Sequence, residues 1–132
     1  MTKSEIARFY NVRESLAAHN FTGAEHDALR RIAMTLHSWS ERECGNDYGC
    51  IERDEATGRP FWRYSDGRKG HAVRDMEKGA LARLSKIQAA HPGYSLYVQG
   101  DPRGGTLYLI RPGDVPEGKN AESYYTRGIF IY

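Results

Sequence analysis

The chain has 132 residues, with 19 Lys and Arg against 17 Asp and Glu and a formal net charge of +2. This length predicts a single domain, 1–132, that can bury a core without disulfides. Two cysteines exclude a disulfide framework. No apolar run is long enough for a membrane span, and the start MTKSEIARFYNV lacks the apolar region of a signal peptide. We therefore expect the protein to act in the cytoplasm of the cell that makes it.

The N-terminal part is expected to be helical. Apolar residues at helical spacing predict a first helix over about 3–18. This helix would form an arm, residues 1–20, that precedes an α+β core of residues 23–132.

Two further helices are predicted from their start and stop signals. Thr22 and Glu25 have the spacing of a capping box, which predicts the start of a long helix over residues 23–44. Asp75 is expected to cap a third helix that ends before His91, where a Pro-Gly pair follows.

The segment between the second and third helices predicts a β-hairpin. Residues 49–55 and 60–64 are expected to be strands, joined by a turn at 56–59. A second turn at 65–68 contains Asp and Gly and leads to a short strand around 71–73.

A second hairpin is predicted around the turn GDPRGG, residues 100–105. If Gln99 pairs with Thr106, the aliphatic residues of both strands share one face of the sheet. Tyr97 then faces Tyr108 on the other face. A one-residue slip would mix the two faces, so the pattern favours this register.

The chain closes with a further predicted strand at 129–132, with one helical turn expected near 120–125. Together the elements predict an α+β fold. Its sheet is small and mostly antiparallel, with two to three helices packed on one face.

The first candidate site is the segment 59–74, whose net charge is +4, which leaves −2 for the rest of the chain. Cations along a hairpin that bears aromatic residues suit a nucleic-acid backbone, or an acidic protein surface. The alternative is a solvated hairpin whose aromatic residues reach the core. The predicted contact residues are Arg59, Trp62, Arg63, Arg68, Lys69 and Arg74.

The second candidate site is the Tyr97–Tyr108 pair. On an open sheet face the two rings could stack on bases, with Arg103 and Arg111 at the rim. The alternative is a cross-strand aromatic pair that a helix or the N-terminal arm covers.

The third candidate is a protein-binding surface near the end of the chain. Tyr and Arg side chains anchor many protein interfaces, and Tyr124, Tyr125 and Arg127 lie together here.

The sequence indicates no metal centre and no catalytic motif. Cys44 and Cys50, with His37 and His71, could be drawn as a zinc site, but the spacing is looser than in structural zinc sites. Two thiols without a metal are favoured. We expect no cofactor and no enzymatic activity.

Three stretches of the chain resemble a group of small proteins encoded in tailed-phage and prophage genomes. They are RPGDVPEG at 111–118, YYTRGI at 124–129 and the hairpin IERDEATGRPFWRY. The resemblance implies a phage accessory protein in the cytoplasm of a bacterial host. Small phage proteins of this kind often inhibit host defences by binding, CRISPR–Cas included. The resemblance implies no catalytic residues.

The leading hypothesis is stoichiometric binding to a host protein or nucleoprotein. The alternative is direct single-stranded nucleic-acid binding through the 59–74 hairpin and the Tyr97/Tyr108 face. A partner that itself holds nucleic acid is basic and would repel the hairpin. Such a partner would instead meet the acidic residues of 52–55, or Tyr124 and Tyr125.

Overall fold

The computed structural model describes residues 1–43, 48–64, 68–72, 78–101 and 104–132. In these residues the helices are α1 (Lys3–Ala17), α2 (Gly23–Glu43) and α3 (Lys78–Ala90). The strands are β1 (Tyr48–Arg53), β2 (Pro60–Tyr64), β3 (Lys69–Ala72), β4 (Ser95–Asp101), β5 (Gly104–Ile110) and β6 (Ile129–Phe130). Two 3-10 helices, Ala121–Ser123 and Tyr125–Arg127, lie between β5 and β6.

The strands form one six-stranded sheet in the order β3-β2-β1-β4-β5-β6. Every pairing in it is antiparallel. Gln99 pairs with Thr106, and Tyr97 pairs with Tyr108, which confirms the predicted register of the second hairpin. The alternation of aliphatic and tyrosine residues fixes this register, because a slip would turn the aliphatic residues away from the core.

The aliphatic side of β4 and β5 packs against the helices. Leu96 and Leu109 are fully buried there. They share one core cluster with residues from all three helices, among them Leu16 of α1, Leu29 of α2 and Leu84 of α3. The predicted α+β fold, with helices on one face of an antiparallel sheet, is thereby confirmed. We call the opposite side of the sheet the outer face.

The start of α2 follows the predicted capping box. The Glu25 N–H donates to Thr22 Oγ1 at 3.0 Å, and the Thr22 N–H donates to Glu25 Oε1 at 2.9 Å. The same pattern occurs at the start of α1, where Thr2 and Glu5 form a capping box that the sequence analysis missed. The predicted helix end at Cys44 lies outside the described residues, and so does the Asp75 cap.

Candidate interaction surface

A single row of paired residues crosses the sheet on its outer face. Lys69 pairs with Arg63 across β3 and β2, and Arg63 pairs with Cys50 of β1. Cys50 pairs in turn with Tyr97, and Tyr97 with Tyr108. Directly paired residues in a sheet lie on the same face. The fold therefore brings two of the predicted sites, the basic hairpin and the tyrosine pair, to one side of the molecule.

The cations of the hairpin cover its aromatic ring. Phe61 in β2 is 6% exposed. The Arg63 guanidinium carbon lies 4.9 Å from the centre of its ring, and Lys69 Nζ lies 4.7 Å from it. Each such cation–π contact contributes about 0.5–1 kcal/mol near a surface. The ring thus holds two positive charges in place, and it is not itself open to a ligand.

Asp54 organises the turn before β2. Its Oδ1 accepts from the backbone N–H groups of Ala56 and Thr57 at 2.9 and 3.0 Å, while Lys69 Nζ donates to its Oδ2 at 2.5 Å. The hydrogen bond from Lys69 and those from the backbone lower the pKa of Asp54 to about 2. A charged Asp54 therefore ties the turn to β3 at neutral pH.

The other predicted hairpin residues fall into two groups. Arg59, Arg68 and Lys69 are exposed, and Arg63 is half-buried. Arg74 lies outside the described residues, as does Arg103 of the second site, and the Trp62 side chain lies outside them too. The described part of the hairpin presents cations on its surface and keeps Phe61 beneath them.

The tyrosine pair does not form the open platform that the sequence analysis considered. Tyr97 is fully buried, because Tyr125 stacks on it with ring centres 4.8 Å apart and an interplanar angle of 15°. Tyr125 also meets Tyr108 edge-on at 4.9 Å. Burial, followed by the neighbouring Tyr125, raises the pKa of the Tyr108 hydroxyl. The arrangement matches the alternative prediction, a cross-strand aromatic pair that a helix covers. The covering element is the 3-10 helix Tyr125–Arg127. Tyr97 is therefore closed to a ligand in this structure, whereas the half-buried Tyr125 covers it and stays a predicted contact residue.

Arg111 fastens the loop that follows β5. Its Nε and Nη2 donate to the two carboxylate oxygens of Asp114 at 3.0 and 3.1 Å, and its Nη2 also donates to the Arg127 carbonyl at 2.7 Å. These bonds use three of the five N–H donors of the guanidinium. Burial opposes the charge on Asp114, but the hydrogen bonds from Arg111 outweigh it and lower the pKa of Asp114. Arg111 thus holds the 3-10 segment in place, and its predicted position at the rim of a binding site stays a prediction.

That segment presents an aromatic ring and a cation. Arg127 is exposed, and its guanidinium carbon lies 4.7 Å from the centre of the half-buried Tyr124 ring. Tyr124 and Arg127 are therefore the described members of the third site that remain available to a partner.

Two histidines on the helical side, in separate places, were not among the predicted site residues. His26 of α2 is 1% exposed, and His91 contacts Glu25 at 2.7 Å while stacking on Phe21. Burial alone would raise the pKa of Glu25, but its hydrogen bonds to Thr22 and His91 outweigh burial and lower it. The spacing of His26 relative to Leu29 was the available signal, since it puts both on the buried side of α2.

Within the described residues, no three His, Cys, Asp or Glu side chains come together as a metal site. Cys44 and the side chains of Cys50 and His71 fall outside the description, so the zinc alternative stays a prediction. No helix in the part of the chain that the structure describes is long and apolar enough to cross a membrane.

Comparison of the chain with known proteins gives no match to a protein-family model, a curated protein sequence or a solved structure. The resemblance to phage-encoded proteins therefore gains no support from the comparisons.

Proposed function

We propose that the protein acts by stoichiometric binding to a host protein or nucleoprotein through its outer face. The contact side chains would be the exposed cations of the 59–69 hairpin, with Tyr124 and Arg127. The observation that carries the proposal is the row of paired residues that links Lys69 and Arg63 to the covered tyrosines. That row puts Lys69 and Arg63 on the side of the sheet opposite α1–α3.

The partner surface is expected to be acidic. Arg59 and Arg68 are exposed, whereas Asp54 already accepts hydrogen bonds from Lys69 and from the backbone of its own turn. Complementary charge across an interface speeds association and excludes wrong partners. The acidic alternative of 52–55, suited to a basic partner, stays a prediction, because the Asp54–Lys69 bond engages one charge of each sign.

Direct binding of single-stranded nucleic acid is the second candidate. Such binding combines cations with exposed rings on which bases stack. Phe61 and Tyr97 are both buried, which leaves half-buried rings such as Tyr124 for stacking among the described residues. This candidate therefore has less support from the described residues, and it predicts binding that depends strongly on salt.

Inhibition of a bacterial defence system such as CRISPR–Cas is the more specific form of the proposal. It follows from the resemblance to phage-encoded proteins in the cytoplasm of a bacterial host. The contact surface would be the same outer face.

The test is a pull-down from a nuclease-treated bacterial lysate with three forms of the protein. They are the wild type, the double variant Arg59→Glu/Arg68→Glu, and the control Arg31→Glu/Lys86→Glu, which makes the same charge change at exposed positions of α2 and α3. We expect a stoichiometric partner whose recovery falls at least about tenfold with the hairpin variant, since losing a charged contact costs that much or more. Equal recovery with both variants would contradict the proposal.

Fluorescence anisotropy tests whether the protein binds nucleic acid directly. Labelled single-stranded DNA, duplex DNA and RNA are titrated at about 50 and about 200 mM salt. Direct binding predicts an affinity that falls steeply with salt, and a salt slope that shrinks by about 2 in Arg59→Glu/Arg68→Glu. No binding at either salt concentration would rule this candidate out.

A further inference from the structure

β6 is the edge strand of the sheet beside β5, and no further strand pairs with it among the described residues. In an antiparallel pair, successive residues direct their backbone N–H and C=O groups alternately toward and away from the partner strand. The Ile131 N–H donates to the Leu107 carbonyl of β5 at 2.8 Å. Phe130, one residue earlier, therefore directs its N–H and C=O away from β5. A strand edge of this kind is a template for pairing with another chain.

A groove of about 490 Å³ lies between this edge and α1, and residues 128–130 form its β6 wall. Its α1 wall consists of small side chains and one cation, from Ser4, Ala7, Arg8, Asn11, Val12 and Ser15. All of these except Val12 are exposed, so the groove is open to solvent. The helix rises about 17 Å from Ser4 to Ser15, a length that about five residues of extended chain cover.

The α1 wall leaves room for a peptide backbone and offers it a hydrogen-bonding group. The Asn11 carboxamide, which can both donate and accept, makes no hydrogen bond to another described residue. An extended peptide in the groove would pair with Phe130 along one edge and face Asn11 along the other. Peptides that add a strand to a sheet obtain affinity from main-chain hydrogen bonds, and specificity from the side chains that alternate along them.

The charge of the groove selects the peptide. Arg8 is the one charged residue that lines it in the described part of the chain. Its side chain is exposed, and no ion pair joins its guanidinium to another described residue. A cation without a counter-charge favours an acidic side chain in the partner, because complementary charge fixes the register of an interface.

A second opening, of about 460 Å³, adjoins the groove, since Arg8, Val12 and Phe130 line both. Apolar side chains supply much of its wall, among them Phe9 and Met34. Met34 is 53% exposed, although it is a large apolar side chain. Contact with an apolar side chain of a partner would remove this surface from water, which is favourable.

We propose that the edge of β6 binds an extended peptide segment that carries an acidic residue and a large apolar residue. The peptide backbone pairs with Phe130, the acidic side chain meets Arg8, and the apolar side chain enters the adjoining opening. This site lies at the opposite end of the sheet from β3. It therefore stands or falls separately from binding through the hairpin cations.

The first test selects peptides from a random library displayed on phage, with the full chain as bait. We expect enrichment of sequences that combine β-branched or aromatic residues with Asp or Glu, because those apolar residues favour the extended conformation. Synthetic copies should bind in the micromolar range. No enrichment over the unselected library would overturn the proposal, and so would enriched peptides that are basic or that bind as helices.

NMR spectra of the 15N-labelled chain locate the bound peptide. The best peptide should shift the amide signals of 128–132, and it should slow hydrogen exchange of the Phe130 amide at least about tenfold, because pairing protects an N–H from water. Methylation of the peptide's backbone nitrogens, one at a time, should weaken binding most at alternate positions. Unchanged exchange at Phe130, or shifts confined to the outer face, would contradict strand addition.

Matched variants identify the groove. Ala7→Trp fills it and should weaken peptide binding at least about tenfold. Ala17→Trp makes the same change at an exposed position of α1 that does not line the groove, and should leave binding unchanged. Arg8→Glu should weaken the acidic peptide severalfold, with Arg31→Glu as the control. Thermal unfolding checks that each variant is folded. Equal binding by Ala7→Trp and Ala17→Trp would refute the assignment.

Sedimentation distinguishes a peptide partner from a second copy of the chain. The protein should be a monomer at the concentration of the NMR spectra. A wild-type dimer that Ala7→Trp dissociates would show that β6 pairs with another copy of the chain, and would overturn the proposal.

Discussion

Gly128 is the position where one added methyl group should release the 3-10 segment from the outer face. A Cβ at this residue would lie 2.4 Å from the Leu109 carbonyl oxygen and 3.2 Å from the Tyr125 carbonyl oxygen. Both are backbone atoms, which cannot rotate away as the end of a side chain can. The φ of Gly128 is −74°, so alanine meets no backbone strain there and the cost of Gly128→Ala is steric alone.

The expected loss follows from two contributions. Overpacking costs about 1–3 kcal/mol. Displacing the segment weakens the stacking of Tyr125 on Tyr97, which is worth about 0.5–1.5 kcal/mol. We expect Gly128→Ala to lower the free energy of unfolding by about 2–4 kcal/mol, measured by urea denaturation with an unchanged slope.

The matched control is Gly79→Ala in α3. A Cβ there would meet Arg83 Nη1 at 3.4 Å, the end of a flexible side chain. Alanine is the better helix former, so this variant should be neutral or more stable by up to about 1 kcal/mol. A Gly128→Ala protein within about 0.5 kcal/mol of the wild type would show that the segment does not pack on β5 in this way.

Three further predictions concern stability. The pKa of Asp54 is lowered from 3.8 to about 2, chiefly by the hydrogen bond from Lys69. The charged carboxylate therefore stabilises the fold above about pH 4, and this contribution is lost as the pH falls toward 2. Asp54→Asn should flatten the dependence of the unfolding free energy on pH in that window, measured by urea denaturation. The pKa of His26 is lowered below 6.5 by burial first, so the unfolded chain binds its proton at higher pH than the folded chain. Thermal stability should therefore fall as the pH drops through about 6.5, and His26→Phe should remove that part of the slope. Thr22→Ala deletes the α2 cap and should cost about 1 kcal/mol in urea denaturation, with Thr35→Ala as the control.

Local patterns in the sequence are sufficient for most of the secondary structure. The register of Gln99 with Thr106 follows from period-two alternation, which leaves one arrangement with all aliphatic residues on one face. The start of α2 follows from the capping box of Thr22 and Glu25, whose partners are three residues apart. Both signals lie within a few residues of the structure that they specify.

Which side chains of the candidate site are exposed or covered depends on contacts between distant parts of the chain. Tyr97 is buried because Tyr125, far along the sequence, stacks on it, and strand alternation alone cannot show what covers a face. Phe61 is covered by Lys69 from the next strand. The same holds for the buried His26, whose Nδ1 accepts from Arg13 of another helix.

Photo-crosslinking in bacterial cells tests the outer face most directly, because it captures a bound partner of any identity. A benzophenone amino acid replaces Tyr124 on the outer face or, as the control, Tyr10 on α1, which is 58% exposed. Both changes put one aromatic side chain in place of another. The account predicts a crosslinked protein adduct from position 124 and none from position 10. An adduct at position 10 alone, equal adducts at both positions, or no adduct at either would contradict binding through the outer face.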